Sequence, residues 1–528
     1  MNKLLTWSMA MLFPLAVSAQ SPIKFINSAE YIPKEKPFME AVKEIEGLGY
    51  FYFGIDDKQR KDNVVEVVHL SPDLKSKKQK SINFSNEWDR PNSAPDIIKM
   101  QNHIYFLIRE ENKSNNEELL AMEFQPSTLS FSKEKKKLHE LDGNSNYQCN
   151  NSDKFYRFRL SDNESKLLAV YNKRYKNNLA KNNFEEKVFI VMDENMNVVW
   201  SKEFKMPYSE ADMEVYQYKV TNTGKVYLLA GIQNPKDNDS KTTNRHFEIL
   251  VYDKETIEKP MVFVPNLDNN YARSSLLIEN EKGEVLLTGI FSKSTGSTSD
   301  GFYALKLEES TSWATKVEKG FFEIPNEIIK SKQSKKELKK LDKAEAKADN
   351  KDEVGIPQLV IQYADFASNG DLILMGEQRV YNPNFSGPGV GTRSTADDIY
   401  IIRIRPNGQS WIRKISKAQY SGDTYGYELS FNYILKEDTL HIVFVDSKRN
   451  FDKGLDEVAE RNGHGPKNYI CGVSVTPEGQ MTKSIVLKVI NEDTQELNLS
   501  LYSRGAKSSI FGTKNLDRHL TTNVLKVE

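Results

Sequence analysis

Three stretches of this chain repeat nearly the same phrase: "TNTGKVYLLAG" (Thr221 to Gly231), "NEKGEVLLTGI" (Asn280 to Ile290) and "ASNGDLILMGE" (Ala367 to Glu377). Each sets a small polar turn containing Gly before an apolar run. A phrase repeated at intervals of tens of residues narrows the architecture to units that bury their apolar faces against one another.

The same kind of run recurs elsewhere. "YFYFG" (from Tyr50), "IYFLI" (from Ile104), "LLAVY" (from Leu167), "VYLLA" (from Val226), "VLLTG" (from Val285), "LILMG" (from Leu372) and "HIVFV" (from His441) are spaced by 54, 63, 59, 59, 87 and 69 residues. Behind most of them comes a second pattern, of alternating apolar residues, a turn rich in Asp, Asn, Gly or Pro, and another alternating run. "EKVFIVMDENMNVVWSKEF", "DDIYIIRIRPNGQSWIRKI" and "NYICGVSVTPEGQMTKSIV" are examples. These read as β-hairpins.

The wholly apolar opening runs fit strands covered on both faces, and the alternating hairpins fit strands nearer solvent. Antiparallel sheets set radially in a closed ring satisfy both conditions and leave few open edges. The expected fold is therefore all-β, a single β-propeller of seven blades, with six or eight as alternatives. The repeated phrase is expected to mark the start of a blade. "ELNLSLYSRGAKSSIFG" (Glu496 to Gly512) either completes the first blade or begins an eighth. Two smaller β domains or a sandwich are the runner-up.

Residues 1–19 read as a signal peptide. Lys3 precedes an apolar stretch, and Val17 and Ala19 fit the small-residue cleavage pattern. The stretch is short and broken by Pro14, a poor membrane span, and no later segment approaches eighteen continuous apolar residues. Residues 20–49 read as a lead-in, with "PFMEAVKEIEGLG" a short helix or extended segment, and residues 50–528 as the propeller. A Lys-rich insertion, residues 324–353, explains the longest step. From Lys330 to Lys343 it holds seven Lys against Glu337 and Asp342, without a strong apolar stripe. Removing that stretch is expected to leave the fold intact. Its Lys335, Lys336 and Lys339 are candidate contacts for a protein partner or an anionic surface.

The chain carries 73 basic against 74 acidic residues, which excludes a general nucleic-acid binder. Its two cysteines, Cys149 and Cys471, cannot make a disulfide scaffold; a single disulfide and a buried Cys471 thiol are both open. None of the seven His sits at a tight metal spacing, and there is no G-x-S-x-G elbow or P-loop. His103 and His441 read as structural, and His464 in "ERNGHGPKN" is the most exposed. Asp193, Asn195 and Asn197 alternate like the start of a calcium loop, but Val198 replaces the required Gly, so a hairpin turn is expected. No catalytic residue, cofactor or metal is assigned, although carboxylates brought together from separate blades would be invisible in sequence.

Two loop regions supply candidate contacts. "NPNFSGPGVGTRSTADD" reads as a long loop at one mouth of the ring, offering Arg393, Asp397 and Asp398. "YSGDTYGYELSFNY" offers Tyr420, Tyr425, Tyr427 and Tyr433, for a protein interface or a sugar.

Phrases such as "SNGDLILMG" and hairpins such as "VTPEGQMTKSIVLK" resemble those of exported β-propeller proteins with degenerate repeats, over most of the chain. Trp313 and Trp411, each following a turn, are similar to the Trp of quinoprotein-like blades, but no residues for a quinone are identifiable. The abundance of Lys and Asn and the Gln after the cleavage site resemble exported Bacteroidetes proteins. That resemblance implies a periplasmic or outer-membrane-associated component of a secretion or uptake assembly. The expected function is thus a non-enzymatic, exported protein-binding scaffold. The alternative is a carbohydrate-binding or carbohydrate-active propeller.

Overall fold

The computed structural model describes residues 21–27, 39–55, 64–83, 96–111, 114, 116–141, 156–173, 184–233, 245–295, 298–308, 313–331, 338–339, 355–382, 393–421, 429–461, 468–487, 503–504, 509–516 and 519–527. The strands form one β-propeller. Each of the seven units counted in the sequence is an antiparallel sheet drawn from one continuous stretch of chain. Blade four is representative, with Met213–Val220 innermost, then Val226–Gln233, Arg245–Tyr252 and Met261–Phe263. The two chain ends build one further four-stranded sheet, in the order Ile23–Asn27, His519–Val527, Ser509–Leu516, Ser503–Arg504. This sheet closes the ring between blades seven and one. Ile23 pairs with Val527 and Asn27 with Asn523, so the N-terminal strand is outermost.

An apolar cluster fills each boundary between neighbouring sheets. Leu168, Phe189, Val220, Leu228 and Tyr252 join blades three and four. Ile23, Val443, Ile470 and Leu525 join blade seven to the closing sheet, and Val42, Tyr52, Val68 and Val524 join that sheet to blade one. Second strands lie between two such clusters, which is why Gly49–Ile55 and Val285–Ser292 are buried throughout. Innermost strands face the ring axis on one side and are covered less; Met213–Val220 is fully buried only over its last three residues.

That difference corrects the placement of the repeated phrase. It does not start a blade but forms the turn between the innermost and second strands. The innermost strand escaped notice because its apolar pattern is weaker. The turn itself is as expected: Gly224, Gly283 and Gly370 have φ of +89°, +78° and +85°, where a β-carbon is strained. Each donates its N–H to the carbonyl three residues back, at 2.9, 3.0 and 2.9 Å. Blade three makes the same turn with Glu164 at φ +57°, so its phrase lacks the Gly signal.

The lead-in also differs from expectation. Met39–Ile45 is extended, the second of the two alternatives, but it is the innermost strand of blade one rather than a lead-in before it, and Ile23–Asn27 belongs to the closing sheet. In the Lys-rich region, Ile324 and Ile329 are buried and a one-turn helix, Asn326–Lys330, packs near the outer strand of blade six, Ser410–Ile415. Tryptophans tie blades together. Trp200 of blade three donates to the Gly224 carbonyl of blade four, and Trp411 of blade six to the Pro477 carbonyl of blade seven, both at 2.9 Å. Among the described residues no helix is long and apolar enough to cross a membrane.

Candidate functional site

Antiparallel order makes the two faces of the ring unequal. Connections between first and second strands, and between third and fourth, share one face and are mostly tight, as at 221–225, 437–438 and 194–197. Connections between second and third strands, and from blade to blade, share the other face. They include 234–244, 324–355, 383–392 and 448–467. The long insertions thus all leave from one side.

A cleft of about 570 Å³ opens there where blade six meets blade seven. Blade six supplies Gln358, Gln378, Asp397, Asp398, Tyr400 and Lys417; blade seven supplies Val458, Ala459 and Arg461; Ile329 and Ile356 add apolar wall. The volume lies within the range of small-ligand sites. Asp397 and Asp398 both line it because the strand is irregular there. Glu377 pairs with Ile399 and Arg379 with Ala396, so Gln378 stands opposite two residues. In a regular strand neighbouring side chains alternate between faces; a bulge re-aims them.

Beneath the cleft lies a buried charged network. Lys417 Nζ is 2.7 Å from Glu377 Oε1, both side chains fully buried, and donates to the Ala396 carbonyl at 2.9 Å and Gln419 Oε1 at 2.8 Å. Arg379 Nε and Ser430 Oγ donate to Glu377 Oε2 at 2.6 and 3.0 Å. Burial pushes the Glu377 carboxyl up, but Lys417 and Arg379 outweigh it and hold the group below its usual range. Lys414 pairs with Asp398 at 2.9 Å and donates to the Ser331 carbonyl at 2.8 Å. Gln419 Nε2 bridges to the Val445 carbonyl of blade seven at 2.7 Å.

Asp397 is different. Its Oδ2 accepts from Arg461 Nη2 at 3.0 Å and Thr395 Oγ1 at 3.4 Å, but its buried Oδ1 has no hydrogen-bond partner. Burial raises its carboxyl to about 6; Arg461 opposes the shift and Asp398 adds to it. A carboxyl oxygen without a donor, in the wall of a cleft, is what a ligand N–H or O–H would satisfy.

The sequence candidates are scattered. Arg393, Asp397 and Asp398 lie not in a loop but on the strand Arg393–Ile404, because the hairpin extends until Asn382 pairs with Arg393. Asp397 and Asp398 reach the cleft. Tyr420 is half-buried on the short strand Gln419–Ser421, opposite Thr395, and Tyr433 is buried core. Lys339 is exposed; Lys335, Lys336, Tyr425, Tyr427, Cys149 and His464 lie outside the described residues. Cys471 is buried, and burial pushes its thiol up to about 12. His103 and His441 sit in strands, bonded to Glu123 Oε1 at 2.7 Å and Ser474 Oγ at 2.9 Å. The calcium-like stretch is a hairpin turn. Asp193 accepts from the backbone N–H of Asn195 and Asn197 and from the Asn197 side chain, at 3.0, 2.8 and 2.9 Å. Among the described residues no three His, Cys, Asp or Glu side chains cluster to hold a metal.

Glu377, Lys417 and Arg461 were not singled out in the sequence. Glu377 carried a signal nonetheless, a charge directly after the covered run "LILMG"; Lys417 carried none, being one of three basic residues in "WIRKISK".

No family model matches the chain, and no curated protein matches it. Solved structures do. A prolyl endopeptidase is similar at 9% identity and TM-score 0.30, over 76% of this chain and 53% of that one, so this chain spans about half its length. An endo-arabinase from Bacteroides thetaiotaomicron is similar at 10% identity and TM-score 0.24, over 53% of this chain and 98% of that one. The WD40 domain of SCAP from fission yeast is similar at 6% identity and TM-score 0.34, over 96% and 99%. Likenesses this distant do not bear on what this chain does.

Proposed function

We propose that this protein is an exported, non-enzymatic recognition propeller that holds a segment of a partner protein in the cleft between blades six and seven. The observation that carries the reading is the unpartnered Oδ1 of Asp397 in the cleft wall. Around it lie apolar side chains, the amides of Gln358 and Gln378, and the Arg461 guanidinium. This mixture suits a peptide segment, which brings N–H donors, carbonyl acceptors and apolar side chains together. A sugar ring wants an exposed aromatic plane, and the aromatic in the lining, Tyr400, is buried.

The export reading rests on residues 1–19, and a partner at the outer membrane on the resemblance to periplasmic propellers. Mass spectrometry of the native N-terminus is expected to give Gln20. For the cleft, a photo-crosslinking residue replaces Gln378 in the native host. The expected result is one cross-linked partner peptide, lost when Asp397→Ala and Arg461→Glu are added. Cross-linking that ignores both changes would refute the cleft reading. The alternative of a carbohydrate-binding propeller draws support from a different place on the ring, the exposed Tyr216 of blade four.

A further inference from the structure

We infer that Tyr216 of blade four is the stacking platform of a site for a neutral oligosaccharide, separate from the cleft. Tyr216 lies on the innermost strand, Met213–Val220, and is 47% exposed. Its ring lies against the backbone of Gly231 on the next strand, where a β-carbon would fall 2.6 Å from ring atom Cε2. Phe247 meets it edge-on, with ring centres 5.6 Å apart at 63°. The Tyr216 hydroxyl is 3.3 Å from Glu214 Oε2, and Arg245 Nη1 donates to the same oxygen at 2.6 Å. The ring is therefore held by Gly231 and Phe247 while about half of the residue stays exposed.

Tyr52 over Gly54 and Tyr303 over Gly289 make the same Tyr-on-Gly contact, and both tyrosines are fully buried. Tyr216 falls at the irregular pairing between Val215 and Gln217, so it stands opposite no residue of the next strand. The ring is edged by Glu214 and Arg245, both about half exposed. A sugar needs both features. Its C–H face lies on an aromatic plane while its equatorial hydroxyls meet charged donors and acceptors at the edge. With Glu214 and Arg245 neutralising each other, the site selects an uncharged glycan. The contact is at the face of the long connections, since Gly231 and Arg245 flank the connection 234–244.

The test uses the full mature chain and soluble gluco-, xylo-, manno- and arabino-oligosaccharides, read by saturation-transfer NMR. At least one is expected to show transfer concentrated on the C–H protons of one sugar face. Tyr216→Ala is expected to weaken that binding about tenfold or more, and Tyr216→Trp to retain it, with unchanged melting temperatures. Absence of transfer from all four at millimolar sugar overturns the inference, as does unchanged binding in Tyr216→Ala. Asp397→Asn is expected to leave sugar binding intact. Loss of sugar binding in that variant alone would assign the sugar to the cleft and overturn both this inference and the peptide reading. Failure of the partner cross-link would leave the Tyr216 site standing.

Discussion

Arg461 of blade seven donates a 3.0 Å hydrogen bond to Asp397 of blade six, closing one side of the cleft while the other oxygen of Asp397 has no partner. One oxygen thus serves the fold, and the other is buried without a donor.

The first prediction concerns the pH dependence of this pair. Burial raises Asp397 to about 6 in the fold, against about 3.9 in an unfolded chain. Between those values the native state holds the extra proton, so stability falls as pH rises. The contribution is fully present below about pH 4 and lost above about pH 6, about 3 kcal/mol at most. Asp397→Asn mimics the protonated form. Its stability relative to the parent is expected to rise from near zero at about pH 4 to one or more kcal/mol at about pH 7. Urea melts at both pH values measure this. A constant difference would mean that Asp397 is solvated and not raised.

A second prediction follows from Glu377 and Lys417. Their side chains are 2.7 Å apart and fully buried, and further donors and acceptors complete the network. Lys417→Met removes the largest compensation for the Glu377 charge. The expected cost is about 3–5 kcal/mol, the range for breaking one side of a buried pair. The double variant Glu377→Gln, Lys417→Met is expected to recover most of it, because the uncompensated charge goes too. A double-mutant cycle by chemical denaturation gives the coupling. Coupling below about 0.5 kcal/mol would show that the two groups act independently.

Much of the ring was legible before the structure, and its limits have physical causes. Second strands announce themselves because both of their faces are covered. The glycines of the repeated phrase announce a turn only they adopt without strain. Innermost strands and the blade-three turn were not legible, because partial exposure weakens one signal and Glu164 at positive φ removes the other. The closing sheet was legible only as an option. Nothing local in "IKFIN" says that its partner lies some 500 positions on. The cleft was half legible. Asp397 and Asp398 stood out, but the bulge that turns both inward and the arrival of Arg461 from another blade are tertiary facts.

Ring closure gives the third prediction. Ile23 is buried between blade seven and the closing sheet, beside Val443, Ile470 and Leu525. Ile23→Ala is expected to cost about 2–4 kcal/mol, the usual range for such a truncation in a core. The ring shares its clusters sheet to sheet, so the whole molecule should melt earlier in one transition. Calorimetry decides. A separate early transition with an unshifted main one would mean that the closing sheet is an independent flap.

The last prediction concerns where the Lys-rich region stops being expendable. Its first part is tied down. Ile329 is buried in the cluster between blades five and six, and the Ser331 carbonyl accepts from Lys414 at 2.8 Å. Lys414 is buried and pairs with Asp398 beside the cleft. Replacing residues 332–353 with a flexible Gly/Ser linker removes none of these contacts. Stability is expected to change by less than about 0.5 kcal/mol, since a change in loop length alone costs little. Starting the deletion at Lys330 also removes Ser331. Lys414 then loses an acceptor in a dry site, at an expected cost of about 1–3 kcal/mol. Denaturant melts of the two deletions should therefore separate, with Lys414→Met closing most of the gap. Equal stability of both deletions would show that water replaces the Ser331 carbonyl and that the expendable region begins earlier.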